Sequence, residues 1–580
     1  MNMDTKFQIP FFNRNFFNSE ETISCIGDGS IGGKARGLAF IQKTIVEKIN
    51  KENFSEVEFD IPRFVVLRTQ IFDLFMERNN LYKIAHSDRA DVSIVQSFLQ
   101  AELPVEILGD LLSIAEQFRV PLAIRSSSLL EDNQYEPFAG IYATKMIPNN
   151  QPNSDARFHK LVEAIKYVFA STFFRESKNY FKITSHRIQE EKMAVIIQEV
   201  VGQRYDERFY PNISGVLRSY NHYPSGKAKP HDGVANLALG LGKTVVDDGI
   251  AWSYSPAYPN APTPFAGTGD MLKSTQTKFW AINMSPLTEY NPVSETEFMI
   301  NANLSDADYD NTLNYIASTY DISSDKFIMG TDIQGPRCVN FLQLLSMNEF
   351  RFNELIRKVL NICEDEMNCP VEIEFAVNIS KTRKKMHFGF LQVRPMVLSD
   401  ENVELSEEEL FDKNVLIASN HTMGNGIVNN IKDIVFVKPE VFNKQDTKII
   451  ASQISNINKD LADSSRPYLL IGFGRWGSSD PWLGIPIEWA QISGAKVIVE
   501  ATLSGMNVEL SQGSHFFHNL TSFKVNYFTT SFDGQYKIDW EWLNQQEIIT
   551  ETDLIKHVKT ISPLKIIISG QSGRGVIKKP

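Results

Sequence analysis

The sequence predicts a multidomain protein of the α+β and α/β classes, with a large first domain followed by a smaller C-terminal α/β domain. Three observations predict it. The chain has 580 residues, too many for one hydrophobic core; apolar segments of strand length alternate with segments of helical periodicity; and an acidic run, LSDENVELSEEELF, separates two series of such segments. We expect a leader over residues 1–25, a first domain over residues 26–400 with an irregular insertion at about 255–335, and a second domain over residues 401–580. The alternative for the acidic run is a solvated helix face.

The composition limits the classes of partner. A net charge of −12 argues against general binding to nucleic acid or anionic membranes, but is compatible with a local basic pocket for a small phosphate ligand. No stretch approaches eighteen uncharged apolar residues, and the polar start MNMDTKFQIPFFNRN lacks the apolar core of a signal peptide. The four cysteines form no close CxxC pair, which favours buried or incidental thiols. The sequence therefore predicts a cytoplasmic protein with neither membrane nor nucleic-acid partners.

The elements follow in order along the chain. Residues 35–50 have the periodicity of a helix with Leu38, Ile41, Ile45 and Ile49 on one face. FDIPRFVVL and VPLAI are typical of strands, with a helix around TQIFDLFMER after the first. Residues 158–200 are helical at first and end in the apolar strand MAVIIQEVV. Beyond residue 400, IKDIVFV, RPYLLIGFG, AKVIVEA, FKVNYFTTS and PLKIIIS predict strands among helices.

The glycine-rich stretch GDGSIGGKARG, residues 27–37, contains a GxGxxG pattern. A dinucleotide fold is disfavoured because the next candidate strand is too distant for a compact βαβ unit, and the P-loop pattern fails because Lys34 has no glycine six residues before it. Glycines directly before a helix leave backbone N–H groups free at the positive end of its dipole, where Lys34 adds a charge. The stretch indicates a phosphate site or, alternatively, a turn with a solvated lysine.

A second basic motif is LAIRSSSLLED, residues 122–132, which places Arg125 at the end of an apolar strand before three serines. An arginine beside hydroxyl groups can hold a phosphate by bidentate hydrogen bonds, and the glycine of FAGIYAT would permit close backbone approach. An exposed arginine beside a serine turn is the alternative. VANLALGLGKTVVDDG adds a further glycine-containing turn.

The sharpest signal is a predicted hairpin. In VEIEFAVN, Glu372 and Glu374 share one face, and in FGFLQVRPM, Gln392 and Arg394 share one face. An antiparallel pairing across SKTRKK would bring the acidic face beside the Gln/Arg face. Mg²⁺ between nucleotide phosphates takes hard oxygen ligands, and an arginine can stabilise a phosphoryl group in transfer. The alternative is an exposed hairpin carrying cross-strand ion pairs.

Together these motifs resemble the ATP-grasp nucleotide-binding domain of pyruvate phosphate dikinase and phosphoenolpyruvate synthase. GGKARGL, IRSSSLLED with FAGIYAT, MAVIIQEVV, SGVLRS, GLGKTVVDDG and IEF…LQVRP occur in the family's order over roughly residues 25–400. The resemblance implies ATP-binding roles for eight residues: Lys34, Arg125, Gln198, Glu199, Glu372, Glu374, Gln392 and Arg394. It makes Glu374 and Gln392 the magnesium ligands, Lys34, Arg125 and Arg394 the catalytic cations, and QEVV, Gln198 to Val201, the adenine-contacting linker.

The later part of the chain departs from this family. Neither the family's phosphohistidine motif nor its TIM-barrel sequences occur after residue 400, where about 180 residues are too few for both domains. GFGRWGSSDPWLGIP and SQGSHFFHNLTS resemble stretches of phosphoenolpyruvate synthase-like bacterial proteins. The first indicates an anion pocket or a structural turn. In the second, His515 is a candidate phosphoryl carrier or acid/base, with a structural role for the paired histidines as the alternative.

Two functions remain open. The first is a phosphotransferase that passes a phosphoryl group from Mg-ATP to an unidentified acceptor, with pyruvate as one candidate and a separate phosphohistidine-bearing protein as a candidate partner. The second is a nucleotide-binding sensor or scaffold whose C-terminal domain binds a partner. The sequence does not decide between ADP and AMP plus phosphate as products.

Overall fold

The computed structural model describes residues 9–51, 54–131, 140–181, 188–221, 227–246, 250–260, 271–272, 275–287, 289–380, 384–396, 403, 405–478, 482–506, 525–570 and 572–580. The chain forms two compact units. Unit 1 comprises Met1–Tyr220 and Gly226–Met396, and unit 2 comprises Asn221–Ser225 and Val397–Pro580.

Unit 1 mixes strands and helices throughout its length. Its described strands are β1 (Ile23–Ile26), β2 (Val57–Asp60), β3 (Phe64–Leu67), β4 (Leu122–Ser128), β5 (Thr144–Ile147), β6 (Met193–Glu199), β7 (Gln203–Tyr205), β8 (Arg208–Tyr210), β9 (Ile213–Arg218), β10 (Val234–Ala238), β11 (Trp252–Tyr254), β12 (Lys278–Asn283), β13 (Met299–Asn303), β14 (Ala317–Asp321), β15 (Lys326–Met329), β16 (Arg337–Val339), β17 (Val371–Ser380) and β18 (Lys385–Pro395). Its described helices are α1 (Gly32–Lys51), α2 (Thr69–Arg78), α3 (Tyr82–Ala85), α4 (Asp91–Gln100), α5 (Leu108–Gln117), α6 (Ser154–Ser171), α7 (Arg175–Phe181), α8 (Lys243–Val246), α9 (Leu304–Tyr309), α10 (Leu342–Ser346) and α11 (Phe352–Met367).

Four sheets organise these strands. A five-stranded sheet has the order β1-β3-β6-β4-β5, and a six-stranded sheet has the order β11-β10-β9-β17-β18-β2. Two smaller sheets, β13-β12-β8-β7 and β15-β14-β16, complete the unit. The five- and six-stranded sheets carry the polar motifs that the sequence singled out.

Helix α1 packs on the core of unit 1 through the apolar stripe that the sequence predicted. Leu38, Ile41 and Ile45 are fully buried, and Ile49 is nearly so. Their spacing of three and four residues places them along one side of the helix, in one cluster with β17 and β18 residues such as Phe375. Burying this stripe fixes the N-terminal turn of α1, and hence Lys34, against the sheets.

The prediction of a single strand at FDIPRFVVL is wrong. It forms β2 and β3, which belong to the six-stranded and the five-stranded sheet respectively. Pro62 lies between them and has no N–H to donate to a ladder, so the chain leaves one sheet there and enters the other. The helix at TQIFDLFMER and the strands at VPLAI and MAVIIQEVV are confirmed as α2, β4 and β6.

Residues 255–335 are more regular than predicted. Their described part contains the short strands β12, β13, β14 and β15 and the helix α9. The strands have four to six residues, and polar turn residues separate them. Elements this short give a weak periodic signal, so the sequence suggested an irregular insertion.

Unit 2 is built on one large sheet. Its described strands are β19 (Val415–Ser419), β20 (Thr422–Met423), β21 (Gly426–Val437), β22 (Tyr468–Phe473), β23 (Arg475–Trp476), β24 (Gly484–Ile485), β25 (Ala495–Ala501), β26 (Asn526–Thr530), β27 (Glu547–Glu551), β28 (Ile555–Ser569) and β29 (Arg574–Lys578). Its described helices are α12 (Thr447–Asp463) and α13 (Trp540–Asn544). The nine-stranded sheet has the order β19-β29-β28-β21-β22-β25-β26-β20, with β27 paired to β28, and β21, β22, β25 and β26 run parallel. The strands that the sequence predicted beyond residue 400 are confirmed.

A partly buried ion cluster links β21 and β28 at the centre of this sheet. Asp433 on β21 accepts a hydrogen bond of 3.1 Å from Arg466 Nε, and its Oδ1 lies 2.9 Å from His557 Nε2 on β28. Burial raises the pKa of Asp433, but its hydrogen bonds with His557 and Arg466 outweigh that effect and lower it. The fold of unit 2 therefore favours the charged form of Asp433.

In the part of the chain that the structure describes, no helix combines the length and the apolar character needed to cross a membrane.

Candidate functional site

Arg125 on β4 joins the five-stranded and six-stranded sheets. Its Nη2 donates to Glu374 Oε2 at 3.0 Å and to Gln392 Oε1 at 2.8 Å. Its Nη1 donates to Gln198 Oε1 at 3.2 Å and to the Leu391 carbonyl at 2.9 Å. Arg125 lies on one sheet while three of its four acceptor groups lie on β17 and β18 of the other, so one guanidinium gathers polar groups from both.

The hairpin of β17 and β18 positions those acceptors as the sequence predicted. Glu372 lies opposite Arg394, and Glu374 lies opposite Gln392. The other face of β17 is packed into the core of unit 1. The register shifts directly after Glu374, so Leu391 becomes the extra residue of a β-bulge. This bulge lies at the carbonyl that Arg125 contacts.

Glu372 lies between two arginines on neighbouring strands. Arg218 Nε on β9 donates to Glu372 Oε2 at 2.7 Å, while Arg394 Nε donates to Glu372 Oε1 at 2.8 Å and Arg394 Nη2 also contacts Oε1. Arg218 Nη1 donates to Asn236 Oδ1 on β10 at 3.3 Å. All four side chains belong to residues at least 92% buried. The alternative of an exposed hairpin with surface ion pairs is therefore wrong here.

Lys34, in the first turn of α1, contacts the continuation of the Arg125 strand. Its Nζ lies 2.8 Å from Glu131 Oε1 and donates to Ser126 Oγ at 3.2 Å. Ser126 donates to the same Glu131 oxygen at 2.9 Å, and the Ser128 N–H donates to Glu131 Oε2 at 2.9 Å. Lys34 and Arg125 therefore lie along one strand, with Lys34 held by a buried carboxylate.

Gly32 makes this arrangement possible. Its φ of +77° lies in the left-handed region that favours glycine, and a Cβ built on it would lie 1.6 Å from the Ser127 carbonyl oxygen. Ser127 in turn accepts from the Ala35 N–H at 3.1 Å and donates to the Ile31 carbonyl at 2.9 Å. The glycine-rich stretch thus allows the start of α1 to pack closely against β4.

The comparison with protein families concerns the same part of the chain. The family model of the AMP/ATP-binding domain of pyruvate phosphate dikinase matches residues 28–415. The chain belongs to this family. A search of curated proteins found no match to this chain.

Within this pyruvate phosphate dikinase-type domain, Gln198 and Glu199 end β6, which pairs with the Arg125 strand β4. Gln198 is buried, and its side-chain oxygen accepts a hydrogen bond from Arg125. Burial raises the pKa of Glu199, and the positive charge of Arg63 only partly offsets this rise. Val201, two residues on, packs closely against Gly389 of β18, since a Cβ there would lie 2.4 Å from Val201 Cγ2. The predicted linker therefore passes close to the hairpin.

The structure brings together most of the predicted residues of the domain. Arg125, Gln198, Glu374 and Gln392 form one contact group, Glu372 and Arg394 form a second on the same hairpin, and Lys34 contacts Ser126, the residue after Arg125. Among the described residues, Glu199 makes none of these contacts. His515 lies outside the described residues, so its role remains a prediction.

Sequence reasoning missed three buried charged residues of the domain. Arg218 and Glu131 lie in the quoted motifs SGVLRS and IRSSSLLED, but their partners are visible only in the fold. Glu191 is 3% exposed, and neither of its carboxylate oxygens has a hydrogen-bond partner among the described residues. Burial raises the pKa of Glu191 to about 8, and the negative charge of Glu131 adds to the rise, while the nearby polar groups of Ser128, Leu129 and Leu130 partly offset it.

The oxygen donors predicted for Mg²⁺ fit that ion chemically. Glu374 supplies a carboxylate and Gln392 an amide oxygen, side by side across the hairpin, and Glu374 retains 18% side-chain exposure. Each acceptor oxygen has more than one lone pair, so contact with Arg125 leaves capacity for a second partner. No cluster of three or more His, Cys, Asp or Glu suited to a metal occurs in the described residues, and a nucleotide-bound Mg²⁺ needs only one or two protein carboxylates.

In unit 2, Trp476 of GFGRWGSSDPWLGIP is fully buried and donates from Nε1 to the Val499 carbonyl at 3.1 Å. A Cβ at Gly472 would lie 2.3 Å from the Trp476 ring. Trp476 is therefore a core residue, which favours the structural alternative for this ring over an open aromatic wall.

Proposed function

We propose that the protein is an ATP-dependent phosphotransferase whose unit 1 is an ATP-grasp domain. The observation that carries the proposal is the contact of Arg125 with Glu374 and Gln392 across two sheets. Cationic and oxygen-donor side chains thereby converge in a domain of a family that binds AMP and ATP. The triphosphate would lie along Lys34, Arg125 and Arg394, and the base beside Gln198 and Glu199.

The residues would act mainly by positioning and by charge neutralisation. In the transfer, the bond between the phosphorus and the departing phosphate oxygen breaks while a bond to the acceptor forms, and the acceptor gives up its proton. Lys34 and Arg125 would hold the phosphate oxygens, and Arg394 would stabilise charge on the group in transfer. Mg²⁺, held by Glu374 and Gln392, would neutralise the phosphates when bound.

The acceptor is a small molecule or a protein that unit 1 or unit 2 binds. The resemblance to phosphoenolpyruvate synthase makes pyruvate the first molecule to test, and a separate phosphohistidine-bearing protein the first partner. His515 is the internal carrier to test, because a phosphorylated intermediate on this chain would need a nucleophilic side chain.

The test is to incubate the purified protein with Mg-ATP, with and without pyruvate, and to resolve the nucleotide products. The intact protein is weighed under conditions that preserve acid-labile phosphate. AMP together with an adduct would support dikinase chemistry, and mapping the adduct would accept or reject His515. Tight ATP binding with neither turnover nor adduct, even after cell extract is added, would contradict the transferase and favour a nucleotide sensor.

Two variants locate the chemistry. Glu374→Gln removes a magnesium-binding charge and should lower turnover by about 100-fold or more, while Arg394→Ala should abolish most transfer. Glu58→Gln, on the exposed ion pair with Lys385 at the edge strand β2 of the same sheet, is the matched control and should change turnover less than about twofold. Full transfer by Arg394→Ala would show that the assigned site is wrong.

A further inference from the structure

Arg218 is a charged residue of the six-stranded sheet for which the ATP site described above has no role. It ends β9, directly opposite Glu372 of β17, and Glu372 lies directly opposite Arg394 of β18. Side chains in register on adjacent strands lie on the same face and contact each other. The three residues therefore form one row across three strands.

The contacts in this row are charge-assisted and buried. Arg218 Nε reaches one oxygen of Glu372 at 2.7 Å, and Arg394 Nε reaches the other at 2.8 Å. Glu372 is 2% exposed, as is Arg394, and Arg218 is 8% exposed. Buried hydrogen bonds between full charges are short and directional, and removing one partner costs more than at a surface.

The geometry fixes what Glu372 can do. Each of its two carboxylate oxygens already accepts from a guanidinium, whereas Glu374, two residues on, keeps more of its side chain exposed. A carboxylate held from both sides cannot rotate without losing one of the two contacts. Glu372 thus transmits the position of Arg218 to the plane of the Arg394 guanidinium.

We infer that Arg218 is a positioning residue for phosphoryl transfer, acting through Glu372 to orient Arg394. This inference rests on the proposed function of unit 1. The inference requires no direct contact between Arg218 and ATP. Asn236, which accepts from Arg218 Nη1, anchors the far side of the row on β10.

The test is a double-mutant cycle on kcat with ATP, using Arg218→Met, Arg394→Lys and the double variant. Arg394→Lys keeps a positive charge but loses the planar fork, so residual turnover stays measurable. Arg218→Met alone should lower kcat by about 10- to 100-fold and change KM for ATP less than about threefold. In the Arg394→Lys background, the same change should lower kcat by less than about twofold, because the residue it positions is already altered.

Arg208→Met is the matched control for general damage. Arg208 makes a partly buried, two-pronged ion pair with Asp310, at 3.0 Å and 2.8 Å, in a different sheet of unit 1. This variant should lower the melting temperature about as much as Arg218→Met, with kcat changed less than about twofold.

The outcomes are distinct. If Arg218→Met lowered kcat equally in both backgrounds, the positioning role would be overturned. The proposed function would still stand, provided that the wild-type protein turns over ATP. A loss confined to the melting temperature would overturn the positioning role as well. Absence of wild-type turnover would refute the proposed function, and this inference with it.

Discussion

At the scale of single residues, Glu191 is a buried carboxyl group whose protonation depends on the fold of unit 1. Burial raises its pKa from the ordinary value of 4.5 to about 8. Between those values the folded protein binds a proton that the unfolded chain has lost, so stability falls as pH rises from about 4.5 to about 8. Glu191→Gln, which is neutral at every pH, should raise the free energy of unfolding at pH 8 by about 1–3 kcal/mol.

Chemical denaturation between pH 4.5 and pH 9 measures this difference. Glu190→Gln is the matched control, because Glu190 precedes Glu191 in the chain and is exposed. The two variants should resemble each other near pH 4.5 and separate steadily towards pH 8. A pH profile for Glu191→Gln that stays parallel to that of Glu190→Gln would show that Glu191 is not a neutral buried acid.

The limits of sequence reasoning are clearest at this scale. Period-two alternation singled out Glu372, Glu374, Gln392 and Arg394, because a polar residue at every second position of an apolar strand needs a reason. Arg218 gave no such signal, since its partner Glu372 lies 154 residues away. A contact of that span depends on which strands become neighbours, and local patterns do not encode it.

At the scale of elements, the start of α1 depends on a single close approach to β4. Gly32→Ala would place a methyl group against the Ser127 carbonyl and force an alanine into φ near +77°. We expect a loss of stability of about 2–4 kcal/mol and weaker ATP binding, because Lys34 would be displaced with the first turn.

Thermal unfolding and ATP titration measure these two effects. Gly109→Ala is the matched control, since Gly109 lies in helix α5 and its added Cβ would meet no atom within 4 Å. That change should leave ATP binding unaltered and raise stability by up to about 1 kcal/mol. Unchanged ATP affinity in Gly32→Ala would separate the glycine contact from the nucleotide site.

Most long elements could be predicted, and their sheet membership could not. Helix α1 and the strands β17 and β18 have clear periodicity, and β6 begins with a continuous apolar run. FDIPRFVVL also has strand character throughout, yet Pro62 sends its halves into different sheets. Strand propensity is local, whereas the choice of sheet is decided by pairing with distant strands.

At the scale of the whole molecule, the two units have separate hydrophobic clusters, so they should unfold in two calorimetric transitions. ATP at about 100 times its Kd should stabilise unit 1 by about 2.7 kcal/mol and leave the other transition in place. A single transition that ATP shifts as a whole would contradict independent unfolding.

The variant Asp433→Asn shows which calorimetric transition belongs to unit 2. Removing this carboxylate leaves Arg466 and His557 without their shared charged partner in unit 2, and should destabilise that unit by about 1–3 kcal/mol, because the partly exposed Arg466 can be solvated. Only the ATP-insensitive transition should move to lower temperature. If the ATP-sensitive transition moved instead, the assignment of the nucleotide to unit 1 would be wrong.

The contact between Arg125 and Gln392 can form only late in the synthesis of unit 1. The two residues are 267 positions apart in the chain. A ribosome adding 5–20 residues per second needs about 13–53 s to travel from the first to the second. Until the hairpin has emerged from the exit tunnel, the nascent chain holds the arginine half of the site without its acidic half. At the proposed site, binding of ATP would therefore require that the chain has been translated through β18.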